Sequence, residues 1–271
     1  MTIYTIPVER EGKTSPMTSC DNQPRLTLGY DLDRWRLFGE KVPITIDLSP
    51  KTNSHILLCG MSGSGKSYLE NQIMAKMALA EPDGEVFFAD YKQDDSFAYL
   101  RGCPRYYPYK DTLTALDIVH GRLLARQSGA DPSRNPITIF WDEYMAQTLA
   151  LISEDKKASA VVMGKVSEIL MLGRSLGPVR ITISCQRPDA LAFPAGSRLN
   201  YGVVVVLGAA VRSIYEMLLP DHVEQVKGRQ FGRGEGVALL QGSELHFVKV
   251  GAVSNPRRME EICVRALGGK E

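Results

Sequence analysis

Five apolar runs punctuate this chain, and segments whose apolar positions have helical spacing lie between them. The runs cover residues 54–59, 85–90, 136–141, 179–185 and 202–207, and their length and composition predict buried strands. Apolar residues recur every three or four positions after residue 66, from near Asp111, and over 156–172, which predicts three helices. Strands that alternate with helices predict an α/β fold with a mostly parallel central sheet flanked by helices.

The two ends of the chain have a different pattern. For the first 25 residues we expect a short strand and then an exposed or disordered stretch over 11–24. Strand-like pieces at 36–39 and 43–48 predict a small β element. Residues 236–240 and 244–250 predict a β-hairpin, and a last helix is expected from Asn255 to about Gly268. We therefore divide the chain into an N-terminal extension with a small β element (1–48) and a main domain (49–271).

The turn after the first buried strand fits the pattern G-x-x-x-x-G-K-[ST]. It consists of Gly60, Met61, Ser62, Gly63, Ser64, Gly65, Lys66 and Ser67. Its glycines allow a tight backbone whose N–H groups face phosphate oxygens at the positive end of the next helix. Lys66 is placed to reach the β- and γ-phosphates, and Ser67 to bind Mg²⁺. We predict that these eight residues and Tyr68 bind ATP with Mg²⁺.

The strand at 136–141 ends in two acids, Asp142 and Glu143, as Walker B strands do. In this interpretation Asp142 holds a Mg²⁺-bound water, and Glu143 polarises the water that attacks the γ-phosphate. The strand at 179–185 ends in Gln186, whose side chain could touch both the γ-phosphate and that water. The alternative for the two acids is that they cap the following helix.

The composition excludes some classes of function but does not indicate one. The 271 residues carry 32 basic and 31 acidic side chains, so no overall basic field indicates nucleic acid, and any such contact must be local. The five cysteines show no zinc spacing, which favours reduced core thiols in a cytoplasmic protein. We expect no signal peptide and no transmembrane segment.

A strand and a helix separate the P-loop from the acidic strand, and a glutamate follows the aspartate. This arrangement is typical of RecA-like P-loop NTPases with an additional strand, rather than of kinases or GTPases. Several blocks then resemble the FtsK/SpoIIIE motor domain of the HerA–FtsK superfamily. They are residues 43–67, 88–92, 139–143, 173–177 and 181–188, the last of which ends in Gln186-Arg187-Pro188. Residues 212–214 and 232–236 are similar to two later family blocks in weaker form.

The resemblance implies an ATP-driven DNA translocase that binds DNA irrespective of its sequence. Family members form rings, usually hexamers, around DNA. We expect neither the membrane segments nor the winged-helix reader of the chromosome pumps, and the sequence looks more similar to the short motors of plasmids, conjugative elements or phages. Arg174, in the Gly-Arg block, is the first candidate for an arginine finger that acts on a neighbouring subunit. Arg187 and Arg233 are the next candidates. The candidates for DNA phosphate contacts are Lys156, Lys157, Arg187, Arg198, Lys227, Arg229 and Arg233.

Two other functions remain open at this point. A conjugative coupling or DNA-packaging ATPase of the same superfamily would share the site and differ in cargo. A P-loop small-molecule kinase is less compatible with the sequence, since a kinase would be expected to have an arginine-rich lid and no glutamate after the Walker B aspartate.

Overall fold

One ten-stranded sheet runs through the computed structural model, which describes residues 24–193 and 199–270. The strands are β1 (Arg25–Asp31), β2 (Pro43–Asp47), β3 (Ile56–Gly60), β4 (Glu85–Asp90), β5 (Tyr106–Pro108), β6 (Ile137–Asp142), β7 (Val179–Cys185), β8 (Val203–Leu207), β9 (Glu235–Leu240) and β10 (Glu244–Lys249). The helices are α1 (Leu32–Phe38), α2 (Lys66–Ala80), α3 (Thr112–Gln127), α4 (Tyr144–Glu154), α5 (Lys156–Leu172), α6 (Arg212–Leu218), α7 (Val223–Val226) and α8 (Pro256–Ala266).

The strand order is β2-β1-β10-β9-β8-β3-β7-β6-β4-β5. From β8 to β5 all neighbours are parallel, and from β8 to β2 all neighbours are antiparallel. The predicted α/β fold with a mostly parallel, helix-flanked sheet is confirmed. Strand β7 lies between β3 and β6, so the additional strand predicted between the P-loop strand and the acidic strand is also present.

Two apolar cores lie on the two faces of the sheet. Helix α2 and helix α8 cover one face, where Leu69 and Ile73 pack in the same core as Met259. Helices α3, α4 and α5 cover the other face through residues such as Leu116 and Val166. The central strands are buried on both faces, which explains why they appear in the sequence as continuous apolar runs.

The sequence prediction was wrong at residues 36–39, which do not form a strand. They lie at the end of α1, where the Asp31 carboxylate accepts a hydrogen bond from the Arg34 amide and Gly39 ends the helix at φ 70°. A seven-residue helix is too short to show a periodic apolar stripe, so its aromatic and apolar residues fit a strand pattern equally well. Helix α4 was not predicted at all. The predictions for the C-terminal end are confirmed, because the hairpin β9–β10 and the Asn255-capped helix α8 are both present.

Strands β1 and β2 extend the main sheet through the pairing of β1 with β10. The division of the chain at residue 48 stays a prediction, and the strand and the disordered stretch expected within residues 1–24 lie almost wholly outside the described residues. No helix in the described part of the chain is long and apolar enough to cross a membrane.

Candidate active site

The P-loop connects β3 to α2 at the carboxyl edge of the parallel strands. Gly63 and Gly65 adopt φ angles of 81° and 97°, in the left-handed region that favours glycine. A Cβ on Gly65 would lie 3.3 Å from the amide nitrogen of Gly234, and that amide donates a hydrogen bond to the Ser64 carbonyl at 2.8 Å. The segment before β9 therefore supports the loop from outside, and a side chain at residue 65 would crowd Gly234 and strain the backbone.

Lys66 lies at the first turn of α2 with its ammonium out of water. Its Nζ donates to Asp142 Oδ1 at 2.8 Å and to Ser184 Oγ at 3.2 Å. The Ser184 hydroxyl also donates to the same Asp142 oxygen, at 2.6 Å. Burial works to lower the pKa of Lys66, but the carboxylates around it, Asp142 first among them, outweigh burial and raise that pKa above its ordinary value. The lysine is therefore charged throughout the physiological pH range.

Glu143 and Gln186 form a second pair beside the first. Gln186 Nε2 donates to Glu143 Oε1 at 3.0 Å, and the same Glu143 oxygen lies 3.7 Å from Lys66 Nζ. The Glu143 backbone is left-handed, with φ 55° and ψ 36°, and its side chain makes no capping hydrogen bond to α4. A left-handed residue other than glycine costs on the order of 1 kcal/mol, and such strain is concentrated at functional sites. The capping alternative for Glu143 is thus not what the geometry shows.

These groups border a cavity of about 480 Å³. Seven of the eight P-loop residues line it together with Tyr68, Asp142, Glu143 and Gln186. Ser64 is the exception, because its hydroxyl is buried and has no hydrogen-bond partner among the described residues, and its amide donates to the Met61 carbonyl at 3.0 Å. Further lining residues come from distant parts of the chain, namely Asn71, Lys92, Asp94, Ser96, Arg233, Pro256, Met259 and Glu260.

The predicted magnesium ligands lie on the same cavity wall. Ser67 contributes a hydroxyl and Asp142 a carboxylate, and hard oxygen donors of this kind suit Mg²⁺. The described residues contain no cluster of three or more acidic, histidine or cysteine side chains that could hold a metal ion. This donor set fits an ion that is bound by one or two protein oxygens and completes its coordination with phosphates and water.

Sequence reasoning missed Glu70 and Ser184. Glu70 is fully buried on α2, one turn after Lys66, beside Ser184 and the charges of Lys66 and Asp142. Burial first, and then the Asp142 charge, raises the pKa of Glu70 to about 8. A sequence signal for both residues exists, because each is a polar residue inside an otherwise apolar pattern. Ser184 alternates with Gln186 on one side of its strand, and Glu70 follows Lys66 by four helical positions.

Arg174 lies away from this site. It follows α5 and precedes β7, at the amino edge of the parallel strands, and its guanidinium donates to the Lys51 carbonyl at 3.3 Å. The seven residues of β7 separate it from Gln186 by roughly 20 Å at about 3.3 Å per residue. The glycines of its block are structural, since a Cβ on Gly173 would lie 2.0 Å from the Val179 carbonyl oxygen.

The other arginines and lysines singled out in the sequence have mixed positions. Arg233 lines the cavity of its own chain, and Arg187 is exposed beside Gln186. Arg229 pairs with Asp33 and lies over the Phe247 ring, and Lys227 pairs with Glu224. Lys156 and Lys157 are exposed at the start of α5, and Arg198 lies outside the described residues.

Solved structures of ATPases share the fold of this chain, with its parallel sheet and its loop between β3 and α2. The cytoplasmic domain of the Type VII secretion ATPase EccC from Thermomonospora curvata is similar, with a TM-score of 0.64, 22% identity and 91% of this chain covered. The pCW3 conjugation coupling protein TcpA, solved with ATPγS, matches with a TM-score of 0.64, 18% identity and 84% coverage. EssC (ATPases 2 and 3) from Geobacillus thermodenitrificans gives a TM-score of 0.61, 12% identity and 97% coverage.

This chain is shorter than those proteins, since it spans 31% of the EccC chain, 65% of the TcpA chain and 51% of the EssC chain. No protein-family model matches the sequence, and no curated protein matches it. The similarity therefore concerns the fold.

The buried Glu70 carboxyl generates a prediction about pH. A carboxyl whose pKa is about 8 in the folded protein and ordinary in the unfolded chain binds more protons when folded between those two values. The contribution of Glu70 to the free energy of unfolding should therefore fall as the pH rises from about 5 to about 8 and then level off, whereas buried His55, whose pKa burial lowers to about 3, makes stability rise with pH up to about 6.5 in every variant. In Glu70→Gln, which mimics the neutral acid, this fall should be smaller by a few kcal/mol.

The measurement is urea unfolding at several pH values in buffer with EDTA and without nucleotide. Glu154→Gln, at the exposed end of α4, is the control that should follow the wild type. Parallel curves for the wild type and Glu70→Gln across this range would show that Glu70 has no raised pKa.

Proposed function

We propose that this chain is an ATP-hydrolysing DNA translocase motor of the FtsK/SpoIIIE type, and that it belongs to a plasmid, conjugative element or phage. The observation that supports hydrolysis best is the convergence of two polar pairs at the P-loop. Lys66 contacts Asp142, and Gln186 contacts Glu143, at the tips of adjacent strands. A site that only binds a nucleotide would not need Glu143 to adopt a strained backbone and to accept a hydrogen bond from Gln186.

Each residue then has a distinct role. The P-loop amides and Lys66 bind the phosphates, and Ser67 with Asp142 would hold Mg²⁺, which neutralises phosphate charge when bound. Glu143 positions the attacking water and accepts its proton through a carboxylate oxygen. Gln186 orients the Glu143 carboxylate by its hydrogen bond and is within reach of the same water. Asp142 keeps the Lys66 ammonium charged and aimed at the cavity.

DNA is the proposed cargo. The Gln186-Arg187-Pro188 block and the similarity to the conjugation coupling protein TcpA support it. TcpA also supports the alternative of a coupling ATPase, which would keep the same site and move DNA toward a membrane partner. EccC, a secretion ATPase solved with a signal sequence peptide, has a similar fold, so the fold alone does not determine which polymer is moved. The four described cysteines are free and buried, which is compatible with the cytoplasmic location proposed from the sequence.

A ring, with six subunits as in the family it resembles, is the proposed assembly. Within one chain the distance across β7 keeps Arg174 from the γ-phosphate site, so this arginine can serve catalysis only on another copy. A finger that acts between subunits need not lie near the nucleotide of its own chain, whereas Arg233, which lines the cavity of its own chain, is better placed to contact its own nucleotide.

Added DNA should raise the rate of ATP hydrolysis, whatever the DNA sequence. The increase should weaken as salt rises, because phosphate contacts by lysine and arginine release counterions that salt opposes. The measurement is steady-state phosphate release with unrelated single-stranded and duplex DNAs at several salt concentrations. Glu143→Gln is the matched control, which should bind ATP and release no phosphate with or without DNA.

A rate that responds to none of these DNAs would exclude the translocase while leaving an ATPase. Wild-type hydrolysis by Glu143→Gln would remove the proposed role of Glu143.

Mixed assemblies test Arg174. Arg174→Ala should bind ATP and hydrolyse it at least 10³-fold more slowly, as loss of an arginine finger does. Mixed with an equally inactive Lys66→Ala chain, it should recover activity, since some interfaces then join an intact P-loop to an intact arginine. Arg212→Ala, which breaks only an exposed pair with Glu216, should keep wild-type activity.

Phosphate release is measured on the separate and the mixed chains, after native mass spectrometry has shown that mixed rings form. Full activity of Arg174→Ala alone, or no recovery in mixed rings, would rule out this arginine as the finger.

A further inference from the structure

The wall of the P-loop cavity holds a second lysine besides Lys66. Lys92 lines the same cavity as Asp142 and Glu143, although it comes from the turn after β4. Strand β4 is the neighbour of β6, and Asp90 at its tip lies directly opposite Asp142 in the register of the two strands. The turn that carries Lys92 therefore starts beside the end of the cavity where the terminal phosphate of ATP would react.

This turn is fixed in place by the buried carboxylate of Asp90. Its Oδ1 accepts a hydrogen bond from the Gln93 amide at 2.6 Å, and its Oδ2 accepts one from the Tyr106 hydroxyl at 2.7 Å. Gln93 has a left-handed backbone, with φ 57°, which is uncommon for a residue other than glycine. Such strain persists only where the surroundings impose it, and it is concentrated at functional sites. The backbone of Lys92 therefore has a defined position at the cavity edge.

The partner that binds the Lys92 ammonium is one that it can leave easily. Lys92 Nζ donates to Asp94 Oδ2 at 2.6 Å, and the two side chains are 48% and 26% exposed. An ion pair this exposed contributes little free energy, because water solvates both charges well. Asp94 also accepts a hydrogen bond from the Ser96 amide at 3.0 Å, so its carboxylate keeps a partner when the lysine leaves. Exchange of Asp94 for a phosphate oxygen therefore costs little.

Lys92 also lies within electrostatic range of the acids at the reactive end of the cavity. The hydrogen bond to Asp94 is the main reason why the pKa of Lys92 is raised, and the charges of Asp142 and Glu143 raise it further. The side chain is therefore protonated at physiological pH. A cation in this place can neutralise phosphate charge that Lys66 and Mg²⁺ leave uncompensated, which is the main task of a phosphoryl-transfer site.

We propose that Lys92 is a second cationic ligand of the terminal phosphate, and that it exchanges Asp94 for that phosphate when ATP binds. The γ-phosphate offers charged oxygens that ADP lacks, and hydrogen bonds between two charged groups are the strong ones. The turn after β4 would then respond to whether ATP or ADP is bound. This role rests on the proposed function, because it presumes that the phosphates bind at the P-loop.

Calorimetric titration with ADP and with AMPPNP, a non-hydrolysable ATP analogue, tests this role without turnover when Mg²⁺ is present. Lys92→Ala should weaken AMPPNP binding about tenfold and leave ADP binding nearly unchanged, because only AMPPNP loses a charge-assisted hydrogen bond. Lys92→Arg should keep most of the AMPPNP affinity. Asp94→Asn should bind AMPPNP at least as tightly as the wild type, since it frees the lysine. Lys110→Ala removes an exposed lysine that lines a separate cavity, and it is the matched control.

The outcomes separate this role from the proposed function. If Lys92→Ala weakens both nucleotides equally or neither, the lysine does not bind the terminal phosphate. If Asp94→Asn loses as much AMPPNP affinity as Lys92→Ala, the two side chains matter only as a pair within their turn. Either result would overturn the inference and leave the ATPase proposal intact, whereas a wild type that binds neither nucleotide would overturn both.

Discussion

The burial of one lysine charge constrains this structure more than any other single feature. Lys66 is 7% exposed, and an ammonium taken out of water loses several kcal/mol of solvation unless charged and polar partners replace the water. Its partners Asp142 and Ser184 come from two different strands, and the serine hydroxyl also bonds the aspartate. The sheet must therefore hold β7 beside β3 and bring the tip of β6 within reach of α2.

The second pair depends on the same arrangement. Gln186 follows directly after β7, and Glu143 follows directly after β6, so the register that joins Lys66 to Asp142 also joins Gln186 to Glu143. The left-handed backbone at Glu143 turns its side chain toward the glutamine instead of the helix end. Such strain persists only where the surroundings over-determine it, and here the buried strand on one side and α4 on the other supply that restraint. The site is thus preorganised by the sheet.

Local signals made much of this predictable from the sequence. The P-loop, the acidic strand end and the Gln186 strand tip each follow an apolar run, and the carboxyl ends of parallel strands meet at one edge. What the sequence did not reveal depends on contacts between distant segments. The buried Glu70 required knowledge of which face of α2 lies under the sheet tips, and Met259 reaches the cavity only because α8 returns to α2. Helix α1 was missed because seven residues carry no clear period.

In the proposed function, the Lys66–Asp142 pair also constrains how ATP binds. When the phosphates bind the Lys66 ammonium, the buried Asp142 carboxylate loses the positive charge that it pairs with, unless Mg²⁺ binds together with the nucleotide. The most direct measurement is ATP affinity with Mg²⁺ and with EDTA, for the wild type and for Asp142→Asn. This account predicts that Mg²⁺ strengthens wild-type binding at least about tenfold and that Asp142→Asn removes most of that gain. Equal wild-type affinity with and without Mg²⁺, or an undiminished gain in Asp142→Asn, would contradict it.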